Sequence, residues 1–478
     1  MRWTLLQISE PMLAALGTGL DPMARVAGVS IDSRTIRAGE LFFAIHGPRH
    51  DGHDHVAAAF ESGALAAVVA ESRGRELAES LRDRCIVVDD TLRALHRLAT
   101  AVRLAWGKKI AGVTGSVGKT TTKEILAALL GAKLRVLKSE GNFNNAYGLP
   151  LTLFRLEQEH DAAVLEMGMS RRYELQELAA IAKPDVGVVT RVAPAHLEFF
   201  ASIEEIALAK RELIEGLNGR DSVAVLNADD PLVAEFASHA PGRVLTYGIE
   251  NAADYRAEAI EDRGALGSAF VLMENGRQTR LELALPGRHV ISNALAALAA
   301  ASVWAIGAQE AREVFRTLHA PAMRGELLRF SNGAALINDS YNSSPAALHA
   351  MITVLAATPN YRRRILAAGE MRELGATSPQ LHREAGKLAA ETGKIDWVVG
   401  VEGDAAQIVE GAVAASVPRS QTRVFASSEE AATFLADFVA PGDLLLVKGS
   451  RGVKMERIVE SLLSVHAPEL ASTEKVRH

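Results

Sequence analysis

The chain has 478 residues, 48% of them hydrophobic and 23% charged, with a formal net charge of −6. That length exceeds what one hydrophobic core supports and predicts roughly two to four domains. The mild negative charge gives nucleic acid or an acidic membrane surface no footing. The single cysteine, Cys85, excludes an internal disulfide and suits a reducing cytoplasm.

The N-terminus, Met1-Arg2-Trp3-Thr4, has neither the apolar run nor the small-residue cleavage site of a secretory signal. Apolar runs at 28–31, 41–45, 66–70 and 86–88 read as strands, and helical patterns fall near 55–65 and 91–106. Residues 1–106 are therefore expected to form a small α/β domain. Two polar clusters interrupt it, Asp32-Ser33-Arg34 and the histidine-rich stretch from His46 to Asp54. The histidine spacing suits no common zinc site and no cysteine accompanies it, so a polar loop holding a ligand is preferred over a metal.

Residues 107–318 open on Ile110-Ala111-Gly112-Val113, followed by the turn Thr114-Gly115-Ser116-Val117-Gly118 and then Lys119-Thr120 at the head of a helical pattern. Strand, glycine-bearing turn and helix start form a phosphate loop. Backbone N–H groups face an anion, the helix start adds about half a positive charge, and the lysine supplies a point charge. The usual first glycine is replaced by Val113, shortening the turn to Thr-Gly-x-x-Gly-Lys-Thr. Thr120 is placed to ligate magnesium. Next come the amide-rich loop Gly141-Asn142-Phe143-Asn144-Asn145 and an apolar strand, 162–165, that ends in Glu166. Glu166 reads either as part of a magnesium shell or as a helix cap.

A strand at 186–190 feeds Pro194-Ala195-His196, and Lys210 sits in the helical stretch 207–212. On residue type alone, His196 is a loop histidine and Lys210 a solvated helix charge. Val223–Asn227 is one more strand, and its alternation with helices predicts a parallel sheet. Residues 289–309 carry no Asp, Glu, Lys or Arg. They are mostly alanine with interspersed polar groups, which favours a buried helix over a membrane span.

Residues 319–478 repeat the strand and helix alternation, with strands near 335–337, 364–368, 397–400 and 444–447. They predict a Rossmann-like domain although no Gly-x-Gly-x-x-Gly is present. The tail after about Pro468 is polar and expected to be disordered.

Taken together, Thr-Gly-x-x-Gly-Lys-Thr at 114–120, Gly-Asn-x-Asn-Asn at 141–145, the strand ending at Glu166 and Pro-Ala-His at 194–196 resemble the Mur ligases of peptidoglycan synthesis. So do Ala-Lys at 209–210, Leu-Asn-Ala-Asp-Asp at 226–230 and Pro-Gly-Arg-His with Asn293. The resemblance covers essentially the whole chain. It implies three α/β domains: an N-terminal one that binds the UDP-substrate, a central P-loop ATPase sheet and a C-terminal Rossmann-like domain. Asp-Ser-Tyr-Asn at 339–342, Gly-Glu-Met-Arg-Glu-Leu-Gly at 369–375 and Val-Lys-Gly-Ser-Arg-Gly at 447–452 resemble the member that joins D-alanyl-D-alanine to UDP-N-acetylmuramoyl-tripeptide. The Asp-Asn-Pro-Arg of the neighbouring member is absent.

The resemblance further implies that residues 114–120 bind the ATP phosphates and that Thr120 and Glu166 hold Mg2+. His196 and Lys210 would serve a second Mg2+, Lys210 as a carbamate. Asn293 would contact adenine, Asp339 the ribose or phosphate region and Arg324 a phosphate. Ser33 and Arg34 would take the uridine nucleotide, and Asn144 and Asn145 the substrate. Two positions depart from the family pattern: Val290 stands where asparagine usually follows the histidine, and Arg324 precedes rather than follows Gly325. A cytoplasmic, monomeric enzyme is expected. A folate-polyglutamate-type ligase or a P-loop switch ATPase would share the phosphate loop but not the whole constellation.

Overall fold

A computed structural model describes residues 3–47, 50–194, 198 and 200–469. The polar tail from 470 onward lies outside the described residues. Three sheets follow one another along the chain. The first contains Ala15–Leu16 (β1), Gly28–Ser30 (β2), Glu40–Phe43 (β3), Ala66–Ala70 (β4) and Cys85–Val88 (β5), in the order β1-β5-β4-β3-β2. All its pairings are parallel except that of β1 with β5. Cys85 is buried there, and that burial pushes its thiol up to about 11.

The helix Thr91–Trp106 leads out of this sheet. Asp90 caps it by accepting from the Arg93 amide at 2.8 Å, and Gly107 ends it at φ 73°. Its apolar stripe of Leu95, Leu98, Ala99 and Val102 belongs to a core that also contains Leu149, Leu165 and Leu178. The first two domains therefore share one hydrophobic interior.

The central sheet has nine strands: Ile110–Thr114 (β6), Val136–Lys138 (β7), Ala162–Glu166 (β8), Val186–Val189 (β9), Val223–Asn227 (β10), Arg243–Gly248 (β11), Tyr255–Asp262 (β12), Ser268–Glu274 (β13) and Arg277–Leu283 (β14). Their order is β14-β13-β12-β11-β10-β9-β6-β8-β7, parallel from β12 to β7 and antiparallel at the β12-β13-β14 end. Strands covered on both faces by helices need unbroken apolar runs, and β6, β8, β9 and β10 are buried throughout. Register sets Val113 beside Glu166 and Thr114 beside Val189, so three strand ends open on the same edge.

Under this sheet lies the helix Arg288–Ala301, buried almost throughout from Val290 onward and packed on the helix Lys119–Gly131. Its run of alanines lets backbones approach closely. No described helix is long and apolar enough to cross a membrane.

The last sheet holds Glu326–Arg329 (β15), Ala335–Asp339 (β16), Arg363–Gly369 (β17), Trp397–Val401 (β18), Thr422–Phe425 (β19) and Asp443–Lys448 (β20), in the order β15-β16-β20-β17-β18-β19. Only β15 runs antiparallel to its neighbour. A short turn at Gly264–Leu266, between β12 and β13, plugs into this domain. Ala265 is buried with Leu348, Ile352 and Leu355, and its amide donates to Thr358 Oγ1 at 2.9 Å.

Candidate active site

The phosphate loop leaves β6 at Thr114, whose hydroxyl donates to the Met167 carbonyl at 2.8 Å. Gly115 adopts φ 148°, and a side chain there would place Cβ 1.8 Å from Thr190 Oγ1. Gly118, at φ 86°, precedes the helix Lys119–Gly131, and a Cβ on it would meet Asn293 Oδ1 at 2.4 Å. Asn293 thus packs against the loop itself. Thr190 Oγ1 donates to the Val117 carbonyl at 2.6 Å, and the Ser116 amide donates to the Arg191 carbonyl at 2.7 Å, tying the loop to the end of β9.

Lys119 Nζ donates to the Gly115 and Ser116 carbonyls at 2.7 and 3.4 Å. Burial lowers its pKa, with the Glu166 charge opposing and Arg324 adding to the effect. Glu166 is only 4% exposed. It accepts from Thr120 Oγ1 at 2.8 Å and from Asn144 Nδ2 at 3.0 Å, while its amide donates to Ser139 Oγ at 3.1 Å. The reading of Glu166 as a helix cap is set aside, because its carboxylate accepts from the side chains of Thr120 and Asn144 and not from the free backbone amides of a helix start. Asn145 turns inward to its own chain, accepting from the Tyr147 and Gly148 amides at 3.1 and 2.9 Å.

Lys210, on the helix Ile203–Glu215, is 2% exposed, which overturns its reading as a solvated charge. No described residue hydrogen-bonds or ion-pairs with its ammonium, and burial, then the nearby Lys119 charge, depresses its pKa well below the ordinary value. Burial thus disfavours its ammonium relative to the neutral amine. His196 lies outside the described residues.

From the last domain, Arg324 stacks over Tyr341 with 4.0 Å from guanidinium carbon to ring centroid. Asp339 pairs with Lys448 at 2.6 Å, and Lys448 also donates to the Asn342 carbonyl at 2.8 Å. Lys448 lies in the Val-Lys-Gly-Ser-Arg-Gly stretch, but sequence alone does not reveal its pairing with Asp339. The available signal was a strand ending in lysine that could neighbour one ending in aspartate. His289 borders the same space from the exposed start of the helix Arg288–Ala301.

Lys119, Thr120, Asn144, Glu166 and His289 border one cleft of about 1350 Å3, bounded by Leu92 of the first domain, the phosphate loop, Asn293, Arg324 and the Asp339–Lys448 pair; Lys210 does not line it. Ser33 and Arg34 do not line it. Arg34 is exposed and forks onto Asp32 at 2.9 and 2.7 Å. The histidine-rich stretch is also elsewhere and is structural at its centre. Buried His53 receives the Ala70 amide on Nε2 at 3.0 Å and meets Asp51 through Nδ1 at 2.6 Å.

No group of three or more His, Cys, Asp and Glu among the described residues could hold a metal by itself. The Glu166 carboxylate and Thr120 hydroxyl nevertheless fit magnesium, which binds through one or two carboxylates together with substrate phosphates.

A phosphate-loop sheet set between two further α/β bodies around a single cleft defines a three-domain phosphate-loop enzyme. The chain belongs to the Mur ligase family. Family models match as the Mur ligase family catalytic domain at 25–103, the Mur ligase middle domain at 113–301 and the Mur ligase glutamate ligase domain at 323–451. The UDP-N-acetylmuramoyl-tripeptide–D-alanyl-D-alanine ligase of Bacillus subtilis is 35% identical over 96% of this chain and 98% of its own. Among solved structures, MurF from Acinetobacter baumannii aligns with a TM-score of 0.87 at 27% identity, over 97% of this chain and 99% of that one. MurF from Thermotoga maritima in complex with ADP aligns with a TM-score of 0.80 at 29% identity, over 92% and 97%.

Proposed function

We propose that this enzyme uses ATP to join D-alanyl-D-alanine to UDP-N-acetylmuramoyl-tripeptide, giving the pentapeptide precursor of peptidoglycan. The observation that carries the reading is the meeting of phosphate loop, Glu166–Thr120 pair and Asp339–Lys448 pair in one cleft between domains. The domains divide at 106/107 and 318/319. The first takes the uridine end through Ser33 and Arg34, and the central one takes ATP. The last closes over both. The enzyme acts in the cytoplasm as a monomer.

The tripeptide's terminal carboxylate attacks the γ-phosphorus of ATP, forming an acyl phosphate and releasing ADP. The amine of D-alanyl-D-alanine then adds to the acyl carbon, inorganic phosphate leaves, and the amine gives up a proton. The first step brings an anion onto a polyanion, where each unit-charge pair at 4 Å repels by about 4 kcal/mol near a protein surface. Lys119 and the amides of 115–120 offset this, with Arg324 beside them. Lys119 must leave the Gly115 carbonyl to reach a phosphate, and a phosphate oxygen is the stronger acceptor.

Mg2+, held by Thr120 and Glu166 and at a second site by His196 and Lys210, would neutralise phosphate charge. Lys210 suits that place as a carbamate: burial favours its neutral amine, which can add CO2 and lose one proton, putting an anionic oxygen pair where an ammonium would repel the metal. Asn144 orients Glu166 from the side away from Thr120. Asn293 and Asp339 border the adenosine, and Asn145 shapes the loop that receives the peptide. Water must be kept out until the amine arrives, which the approach of the last domain achieves.

Measuring ADP release with each substrate omitted in turn tests the reading. Release that requires ATP, nucleotide peptide and dipeptide together supports it. Brisk ATP hydrolysis without the dipeptide would sink it and favour a simple ATPase.

A further inference from the structure

We propose that the adjacent carboxylates Asp229 and Asp230 are positioning residues with divided duties. Asp229 fixes the turn that walls the nucleoside end of the cleft, and Asp230 fixes the segment that backs the phosphate loop. The inference rests on reading the cleft as an ATP site.

Both residues follow the C-terminal end of β10 but face different neighbours. Asp229 accepts from three successive amides, Ile249 at 2.6 Å, Glu250 at 3.0 Å and Asn251 at 2.8 Å. Asn251 Nδ2 returns a bond to the Ala228 carbonyl at 2.8 Å, so the turn is stitched from both sides. Ile249 and Glu250 line the cleft. Glu250 also pairs with Arg288, at the start of the helix whose Asn293 abuts Gly118. Asn293 lies five helical steps beyond Arg288, a rise of ~7.5 Å. The turn thus meets this helix at its start, a helical turn or more before the residue that abuts the phosphate loop, and Ile249 offers the cleft an apolar surface.

Asp230 is 7% exposed and points the other way. Its Oδ2 accepts from the Val192 amide at 2.7 Å, and its Oδ1 caps Leu232 and Val233. Val192 sits between two residues bound to the phosphate loop. The Arg191 carbonyl accepts from the Ser116 amide at 2.7 Å, and Ala193 exchanges bonds with Ser116 Oγ at 3.0 and 2.9 Å. One carboxylate thus reaches the nucleoside wall and the other the phosphates, each through backbone amides that an asparagine could satisfy only in part.

Identical substitutions should therefore give opposite kinetic signatures, which a general loss of stability would not. Asp229→Asn is expected to raise KM for ATP by about tenfold or more, to lower kcat less than about threefold, and to narrow the preference for ATP over GTP. Asp230→Asn is expected to lower kcat by about tenfold or more while KM for ATP stays within about threefold. Equal changes in both variants, or an Asp229→Asn KM within about twofold of wild type, overturn the proposal. If either variant fails to fold, the exposed Asn251→Ala decides: a KM for ATP raised by about threefold or more supports it, and an unchanged KM overturns it. A wild-type enzyme without ATP-dependent ADP release would instead sink the ATP reading itself.

Discussion

Lys448 Nζ stands 2.6 Å from Asp339 Oδ2, at matched positions on the neighbouring parallel strands β20 and β16. Burial raises the Asp339 pKa and the Lys448 charge opposes the rise, so each group is tolerable only with the other. Lys448→Met leaves a buried carboxylate unpaired and is expected to destabilise the protein by about 3–5 kcal/mol. The double variant Lys448→Met/Asp339→Leu should recover most of that stability while turnover stays low. Urea unfolding midpoints beside ADP-release rates check both halves. An unchanged midpoint in the single variant would show that the pair is not coupled.

Lys119 supplies the one ammonium inside the phosphate loop. Lys119→Ala is expected to lower turnover by about a thousandfold, equivalent to about 4 kcal/mol of transition-state stabilisation. Lys119→Arg should rescue little, since a planar guanidinium fork does not reproduce the compact point charge that Nζ places 2.7 Å from the Gly115 carbonyl. Turnover within tenfold of wild type in either variant would count against the loop as the phosphate site.

Lys210 carries a stability penalty with a definite pH signature. Its folded pKa lies well below 10.5 because of burial, so between that depressed value and 10.5 the unfolded chain binds more protons. Stability must rise with pH across this window and fall as pH drops through it. Lys210→Met should flatten that slope. Without bicarbonate and magnesium, it should also melt about 2 °C or more above wild type at neutral pH, while turnover falls by about a thousandfold. A correctly folded variant with near-normal turnover would remove the carbamate proposal.

Glu310 gives the opposite sign. Lys133 at 2.5 Å and the Gly307 amide at 3.0 Å hold its carboxylate at about 2, against an ordinary 4.5. Its contribution is fully present above pH 4.5 and is lost as pH falls from there toward 2. Glu310→Gln should remove this part of the acid sensitivity, measured as a shallower fall in unfolding midpoint over that range. An identical acid profile in wild type and variant would refute it.

The parallel core could be read from sequence because two-sided burial writes continuous apolar runs. Ala162–Glu166 and Val223–Asn227 were recognisable from composition alone. The β12-β13-β14 extension was not anticipated, since its one covered face leaves exposed residues scattered through each strand, as in Tyr255–Asp262. Site chemistry was visible where it is local, in the turn at 114–120 and the acid closing β8. It was hidden where it depends on pairing between distant strands, as for Lys448 with Asp339, and where burial alone changes a residue's character. Lys210 is the plainest instance, because its helical neighbours Arg211 and Glu212 suggest a solvated face.

Gly118 cannot accept a side chain, because Asn293 occupies the space and the backbone is left-handed. The same contact wedges the anion-binding turn against a helix that is itself locked beneath the sheet. The turn is therefore set in shape before any nucleotide arrives. The entropy of ordering it is borne once, when the chain folds, and not again at each catalytic cycle.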